Sequence, residues 1–211
     1  MKKRFFAFLV LGLFTIALGF LSQSGAPSAA LAQEQSDYSA APVATGILDN
    51  IPLTIVFDVA TDARTFRLNR GAALPEAKRG DSFIVEGKIY PGGAIPPGGS
   101  LQSPGSFDPN TAPGSIGKWV LRGVFNHDFG EVLAGAEPFV FGTQYFIFND
   151  GRVLISEGPH GGARAQLRAI IGGAGAFSGA TGDVREEIIG VNSTGLFNQR
   201  FTFRIKKQSI R

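Results

Sequence analysis

Apolar and polar residues alternate along the last part of the chain, as in a β-strand with one face buried and one face in water. In Leu196–Lys206, Phe201 and Phe203 lie on one face and Arg200 and Arg204 lie on the other. Two earlier segments repeat this period of two. The pattern predicts strands that wrap a single apolar core.

Eight segments after residue 50 have the length and pattern of strands and are separated by turn residues. They are Leu53–Ala60, Ser82–Tyr90, Lys118–Asn126, Phe139–Phe148, Arg152–Glu157, Ala165–Ile171, Asp183–Ile189 and Leu196–Lys206. Thr65–Leu68 is a further short candidate. Asn149, Asp150 and Gly151 tolerate positive φ, so they predict a tight hairpin. No segment after residue 32 has a convincing helical period, and the sequence therefore predicts an all-β protein.

Phe139–Phe148 differs from the other segments because it is apolar on both faces. Its outer face is predicted to be covered, either by a sister subunit in a homo-oligomer or by a long loop of the same chain. The longest loop is residues 91–117, which holds six of the 12 prolines. Loops of this length are usually functional lids or disordered insertions, and the sequence leaves both interpretations open.

The N-terminus has the features of an export signal. Met1–Arg4 is basic, Phe5–Leu21 is apolar, and Ala30 and Ala32 form a small-x-small cleavage pattern. These features predict a signal peptide over residues 1–32, cleaved after Ala32, and a secreted or periplasmic protein. An uncleaved membrane anchor is the alternative, because the apolar run approaches the length that spans a bilayer.

Residues 33–50 are small and polar and predict a flexible tether, whereas residues 51–211 are predicted to form one domain. Cleavage of the signal leaves 17 basic and 17 acidic residues, so the charge does not indicate a nucleic-acid partner. The chain has no cysteine, so it has no disulfides. No later segment has the length and hydropathy of a membrane span, and no membrane partner is expected after cleavage.

Motifs for cofactor binding and nucleophilic catalysis are not fulfilled. A dinucleotide site requires a helix that begins at its glycines, but the segment after Gly173–Gly179 has the pattern of a strand. Gly114–Lys118 is followed by Trp119, where a phosphate loop needs a hydroxyl residue. The chain also lacks the Gly-x-Ser-x-Gly sequence of a serine nucleophile. We therefore predict a protein without a cofactor.

His127 and His160 are the only histidines, and both stand beside turn residues. Two histidines without cysteine are too few for a typical transition-metal site, so we predict no metal and expect both side chains to be exposed. Basic residues recur in the last three strands, where Glu186 and Glu187 can pair with them, and we interpret this set as a solvated outer wall. They are Arg164, Arg168, Arg185, Arg200 and Arg204.

The segment at residues 172–182 resembles a known signature. It reads Gly-Gly-Ala-Gly-Ala-Phe-Ser-Gly-Ala-Thr-Gly, in which Phe177 is the one bulky residue, and a strand is predicted on each side. This corner resembles that of the allene oxide cyclase and dirigent superfamily. Segments similar to an upstream part of the cyclases are Tyr145-Phe146, Asp150-Gly151 and Gly158-Pro159.

The resemblance implies a single antiparallel eight-stranded β-barrel, closed at one end by Phe177. It also implies a protein that binds a lipid-like or phenolic molecule, or a reactive intermediate, and guides its cyclisation or coupling without a cofactor. The expected lining of the pocket consists of bulky aromatic residues on the strands, namely Trp119, Phe125, Phe141 and Tyr145.

Asp58 is the only acid in the apolar segment Leu53–Ala60 and is the catalytic candidate. In the allene oxide cyclases an acid in the first strand is thought to steer charge during ring closure, and Asp58 falls at about that place. Facing the interior, it would be a poised acid or base; facing outward, it would be solvated. The alternatives to a binding and guiding protein are therefore a cyclase-type isomerase that uses Asp58 and a non-catalytic secreted surface or matrix module.

Overall fold

The strands close into one barrel. The computed structural model describes residues 52–71, 76–100, 103–161 and 164–206. Within them, eight antiparallel strands pair in chain order, and the last pairs with the first. The strands are β1 (Leu53–Leu68), β2 (Ser82–Pro91), β3 (Gly117–Phe125), β4 (Val140–Phe148), β5 (Val153–His160), β6 (Gln166–Ala174), β7 (Thr181–Val191) and β8 (Phe197–Lys206). The predicted antiparallel eight-stranded barrel is confirmed.

Strand β1 is longer than the sequence pattern predicts. The segment Thr65–Leu68 is the continuation of β1 rather than a separate strand. The pairing of β1 with β2 shifts register between Asp62 and Arg67. Because an irregularity of this kind interrupts the alternation of side chains, the pattern before and after it looks like two strands.

One short helix, α1 (Phe129–Leu133), lies between β3 and β4. Asp128 precedes it, and the backbone N–H of Asp128 donates to the Glu131 carboxylate in a capping box. The sequence pattern does not predict α1, because a single turn is too short to show a helical period. Among the described residues, no helix has the length and hydropathy needed to cross a membrane.

The hairpin between β4 and β5 forms where Asn149, Asp150 and Gly151 predict it. Gly151 has a φ of 85°, and its N–H donates to the carbonyl of Phe148 at 3.0 Å. This φ is in the left-handed region, where glycine has no steric penalty. The hairpin brings β5 back along β4 over its whole length.

Phe177 closes one end of the barrel. It ends the short 3₁₀ turn Gly175–Phe177 after β6, is buried, and has its ring 5.9 Å from the ring of Phe148. The turn folds tightly on β6, because a Cβ on Gly173 would stand 2.4 Å from the Phe177 carbonyl oxygen. We call this end the Phe177 end. The opposite end, where β5 finishes, is the His160 end.

The barrel interior is packed mainly with apolar side chains. The ring of Phe146 lies 5.0 Å from that of Phe201 and 4.9 Å from that of Phe203, both edge-on. The alternation predicted for β8 is confirmed, since Phe201, Phe203 and Ile205 are buried. Other interior residues are Phe57, Val59, Phe83, Val85, Trp119, Leu121, Phe125, Leu154, Ile170 and Val184.

Residues 91–117 form a long loop, here the outer loop, whose described part lies against the outside of the barrel. Ile95 packs with Ala60 on the outer face of β1. Gly98 forms a backbone bridge to Gly190 in β7. The outer loop therefore runs along the wall made by β1, β8 and β7.

The outer face of β4 is not covered by this loop. Phe141 and Ile147 on that face are 51% and 40% exposed, and Val124 of β3, which pairs with Phe141, is 46% exposed. Coverage of the outer face of β4 by the long loop is therefore wrong, because that loop lies against another part of the barrel wall. Coverage by a sister subunit stays a prediction. The predicted signal peptide at residues 1–32 and tether at 33–50 lie outside the described residues.

Candidate functional site

A group of polar side chains faces the interior between the middle of the barrel and the His160 end. Each stands in phase with apolar interior residues of its own strand, and all but His160 are at least nine-tenths buried. Burial of so many polar groups requires that they hydrogen-bond one another. The polar cluster consists of Thr61, Gln144, Ser156, His160, Glu186 and Gln199.

Glu186 on β7 is the acceptor at the centre of the polar cluster. Its Oε2 accepts from the Gln144 amide at 2.8 Å, and its Oε1 accepts from the Gln199 amide at 2.9 Å. The oxygen of Gln144 accepts from the Ser156 hydroxyl, and that of Gln199 accepts from the Thr61 hydroxyl. Every donor in this chain of hydrogen bonds points towards Glu186, so the network favours a carboxylate there.

His160 completes the polar cluster as the last residue of β5. Its Nδ1 lies 2.7 Å from Glu186 Oε1, so Nδ1 carries a proton and donates it. The imidazole ring lies 6.4 Å from the ring of Trp119, centroid to centroid. The side chain is 15% exposed, and it is therefore the member of the polar cluster that solvent reaches.

Arg168 on β6 lies beside the polar cluster, with only 2% of its surface exposed. Its guanidinium donates to the carbonyls of Gly158, Pro159 and Gly142 on β5 and β4. Burial lowers the pKa of Arg168 from its ordinary value, although the nearby carboxylate of Glu186 opposes that effect. The Nε–H of Arg168 is buried and has no acceptor in the part of the chain that the structure describes.

Trp119 carries the second such donor. Its indole is almost fully buried on the interior face of β3, yet no described residue accepts a hydrogen bond from Nε1. A buried donor without an acceptor costs about 1–3 kcal/mol, so native proteins rarely keep one without a reason. Trp119 and Arg168 are thus two N–H donors that a bound acceptor could satisfy.

The opposite side of the interior at the His160 end is apolar. The ring of Phe83 on β2 lies 5.2 Å from those of Phe66 on β1 and Phe125 on β3. The polar cluster comes instead from β4, β5, β7 and β8, with Thr61 from β1. This half of the barrel therefore presents stacked rings on one side and hydrogen-bonding groups on the other.

The charge of Glu186 is maintained in spite of its burial. Burial by itself raises the pKa of this carboxyl, but the charge that His160 carries when it is protonated, its hydrogen bond, the charge of Arg168 and the Gln144 amide outweigh that effect. The pKa of Glu186 is therefore lowered from its ordinary value of 4.5. A carboxylate held charged beside an imidazole is a pair suited to orienting that imidazole and stabilising its cation.

This shift predicts an acid-sensitive contribution to stability. A depressed folded-state pKa stabilises the fold above the unfolded-state pKa, and this contribution is lost as the pH falls through the folded-state value. We expect Glu186→Gln to be less stable than the wild type at neutral pH, with a gap that narrows as the pH falls below about 4.5. The charged groups facing Glu186 are His160 and Arg168. Urea denaturation of both proteins from neutral pH down to about pH 3 measures the gap; a constant gap would contradict the assignment.

Solved structures of other proteins are similar to this chain at low sequence identity. Two pterocarpan synthase dirigent proteins are each 16% identical to this chain, with TM-scores of 0.47 and 0.48; alignment covers 81% and 74% of this chain and 96% of each of theirs. A pyocyanin demethylase is 14% identical, with a TM-score of 0.44 over 72% of this chain and 99% of its own. No protein-family model and no curated protein sequence matches this chain.

Identities and TM-scores of this size assign no function, so the chemistry of the site has to come from the residues of this chain.

The predicted lining residues are divided between the two faces of the wall. Trp119 and Phe125 are buried in the interior. Phe141 and Tyr145 lie on the outer face of β4, away from the interior. Because β4 is apolar on both faces, the alternation along it could not indicate which set points inward.

Asp58 lies on the outer face of β1 and is fully buried beneath the outer loop. Its Oδ2 accepts from the backbone N–H groups of Gly93 and Ile95, and its Oδ1 accepts from Arg200 Nε at 2.8 Å. It therefore faces neither the interior nor open solvent. These contacts connect Asp58 to the outer loop and not to the polar cluster.

Two interpretations from the sequence are wrong. His160 is not an exposed turn residue, and Arg168 and Glu186 do not belong to the solvated outer wall, since they are 2% and 3% exposed in the interior. The sequence does contain a signal for the interior placement of Glu186. In β8, Gln199 stands in phase with Phe201 and Phe203, as does Glu186 with Val184 in β7. A polar residue in phase with a buried apolar face is the sign of an interior polar site.

A concave region lies outside the barrel. It is a groove of about 300 Å³ between the wall and the outer loop, with mostly polar and charged lining that includes Asp62, Glu86, Lys88 and Lys118. Lys118 is paired with Glu86 at 2.7 Å. Across the described residues, no three His, Cys, Asp or Glu side chains come together as a metal-binding group.

Proposed function

We propose that this protein binds a small, largely apolar molecule with a hydrogen-bond acceptor at the polar cluster inside the His160 end of its barrel. The observation that carries this proposal is the pair of buried donors, Trp119 Nε1–H and Arg168 Nε–H, for which no described residue supplies an acceptor. A carbonyl, phenolic or carboxylate oxygen is the kind of group that both donors require.

The apolar part of the ligand follows from the opposite side of the interior. The rings of Phe66, Phe83 and Phe125 offer faces and edges against which a flat hydrocarbon or aromatic body packs. A site with apolar walls and a few convergent polar groups is typical of small-molecule binding. We propose that the barrel holds a reactive molecule of this kind and guides its cyclisation or coupling through shape, without a cofactor. With the export predicted from residues 1–32, it would meet this ligand outside the cytoplasm.

A non-catalytic surface or matrix module is the second candidate. It is favoured by the filled middle of the barrel, where Trp119, Phe146, Phe201 and Phe203 are fully buried. In that case the polar cluster would serve only to hold the interior together. The two candidates differ in whether an added ligand reaches Trp119.

Nuclear magnetic resonance of the single tryptophan separates them. Trp119 is the only tryptophan of the chain, so the indole N–H gives one resonance. We expect 1-indanone, an aromatic ketone, to shift this resonance in a saturable way. Indane, the same skeleton without oxygen, should bind about fivefold more weakly, because it lacks about one hydrogen bond.

The groove outside the barrel supplies the control for this titration. Lys88→Ala and Lys118→Ala change that groove and should leave the response of Trp119 to 1-indanone as it is in the wild type. If neither compound shifts the indole resonance, the proposed binding site is ruled out. That result would support the second candidate, a non-catalytic module with a filled interior.

A further inference from the structure

We propose that His160 is a catalytic base that moves a proton of the bound ligand, and that Glu186 is its positioning residue. This inference rests on the proposed function, because a ligand has to reach the polar cluster before its proton can be moved. It adds an acid–base reaction to what would otherwise be binding and guidance by shape.

The two nitrogens of His160 are placed for different tasks. Nδ1 donates to Glu186 Oε1 at 2.7 Å, which fixes the tautomer and the plane of the ring. With the proton on Nδ1, the neutral ring has a lone pair at Nε2. No described residue forms a hydrogen bond with Nε2. His160 also ends β5 and is partly exposed, so solvent reaches its ring at the His160 end.

Glu186 is suited to act through His160 rather than on the ligand itself. Its two oxygens accept from Gln144, Gln199 and His160, and the residue is 3% exposed. Three donors occupy most of the lone pairs of a carboxylate. Its charge instead stabilises the imidazolium that forms when His160 takes a proton.

The reaction that fits this arrangement is proton transfer next to a carbonyl. Nε2 of His160 takes a proton from the carbon beside the ligand carbonyl; the electrons of that C–H bond form the C=C bond of an enolate, and the carbonyl π electrons move onto the oxygen. The imidazolium exchanges this proton with solvent and then protonates the same carbon, which completes exchange, or a conjugated carbon, which gives isomerisation. In both cases the enolate electrons form the new C–H bond and the carbonyl is restored. Atoms and electrons balance without an oxidant or reductant.

The unpartnered donors stabilise the intermediate of this reaction. A negative oxygen accepts stronger hydrogen bonds than a neutral carbonyl does. Donors fixed in a buried site therefore favour the enolate over the ketone. Trp119 Nε1–H and Arg168 Nε–H are such donors, and the positive charge of Arg168 adds to the effect.

The chain contains a matched control for this pair. His127 is the other histidine, and it also stands beside a glutamate, with Nδ1 3.8 Å from Glu131 Oε2. This second pair lies at α1, outside the barrel, and Glu131 is 53% exposed. A general effect of a histidine beside a carboxylate would therefore also be seen at His127, whereas an effect of the interior site would not.

Deuterium exchange of 1-indanone tests the inference. The ketone is incubated with the protein in heavy water. Proton nuclear magnetic resonance then follows the loss of signal from the two protons on the carbon beside its carbonyl. We expect wild type and His127→Gln to accelerate exchange equally. His160→Gln should lower the protein-dependent rate by about 100-fold or more. Glu186→Gln should lower it as well, and Glu186→Asp should restore part of it.

Binding is followed in parallel samples through the Trp119 indole resonance. Acceleration that requires His160, with the indole shift retained in His160→Gln, supports the inference. If 1-indanone shifts the indole resonance but the protein does not accelerate exchange, the role of His160 as a base is overturned while the proposed function stands. The same holds if the acceleration survives in His160→Gln. Absence of the shift in the wild type overturns both. A merely structural Glu186 would lower stability in Glu186→Gln without a rescue of the exchange rate by aspartate.

Discussion

Replacing Glu186 by alanine is expected to lower the free energy of unfolding by about 3–5 kcal/mol. The substitution removes the one acceptor shared by the Gln144 amide, the Gln199 amide and His160 Nδ1. All three donors would be left without that partner inside the barrel, and a buried donor without an acceptor costs about 1–3 kcal/mol. Urea denaturation at neutral pH measures the loss.

The neighbouring residue provides the control. Glu187→Ala removes an acid from the same strand but from the outer face, where the side chain is 36% exposed and pairs with Arg185. Exposed ion pairs contribute about 0–1 kcal/mol, so the control should be nearly as stable as the wild type. Equal losses in Glu186→Ala and Glu187→Ala would mean that the polar cluster does not form as described.

Replacing Asp58 by alanine is the second change with a large expected effect, a loss of about 3 kcal/mol. Asp58 accepts from the Gly93 and Ile95 backbone and from Arg200, and it is fully buried. Its removal leaves the Arg200 guanidinium and two backbone N–H groups without their acceptor. The outer loop should then separate from the wall, and hydrogen exchange of the Gly93 and Ile95 amides should increase.

Asp150→Ala is the matched control for Asp58. Asp150 also pairs with an arginine, Arg152, but its side chain is 53% exposed at the β4–β5 hairpin, so its loss should cost less than about 1 kcal/mol. Asp58→Ala should keep the response of Trp119 to 1-indanone, because Asp58 faces away from the interior. If binding or proton exchange disappeared while stability was unchanged, Asp58 would have the functional role that its strand position suggested.

The barrel could be predicted from the sequence because its strands follow simple alternation. In β8, Phe201, Phe203 and Ile205 are in phase and all three are buried. The glycine-rich corner and its one bulky residue predicted that Phe177 closes an end, and the structure places that ring in the interior. Strand boundaries were less accurate, most clearly in β1, where the register shift divides one strand into two patterns.

The polar cluster could not be assembled from the sequence in the same way. Its members come from β1, β4, β5, β7 and β8, and only closure of the barrel brings them together. Glu186 stands between two charged residues, Arg185 and Glu187, and Arg168 stands between apolar neighbours, so simple alternation places both on a solvated wall. The phase of Glu186 with Val184 is present within β7, but its place beside Phe201 of β8 follows only once the strands are paired.

The most direct test of the central claim is a crystal structure of the protein with 1-indanone. We expect the ketone to lie inside the His160 end, with its ring against Phe83 or Phe125. Its oxygen should lie within hydrogen-bond distance of Trp119 Nε1 or Arg168 Nε. Binding in the groove beside Lys88 and Lys118, with the interior donors still without an acceptor, would contradict it.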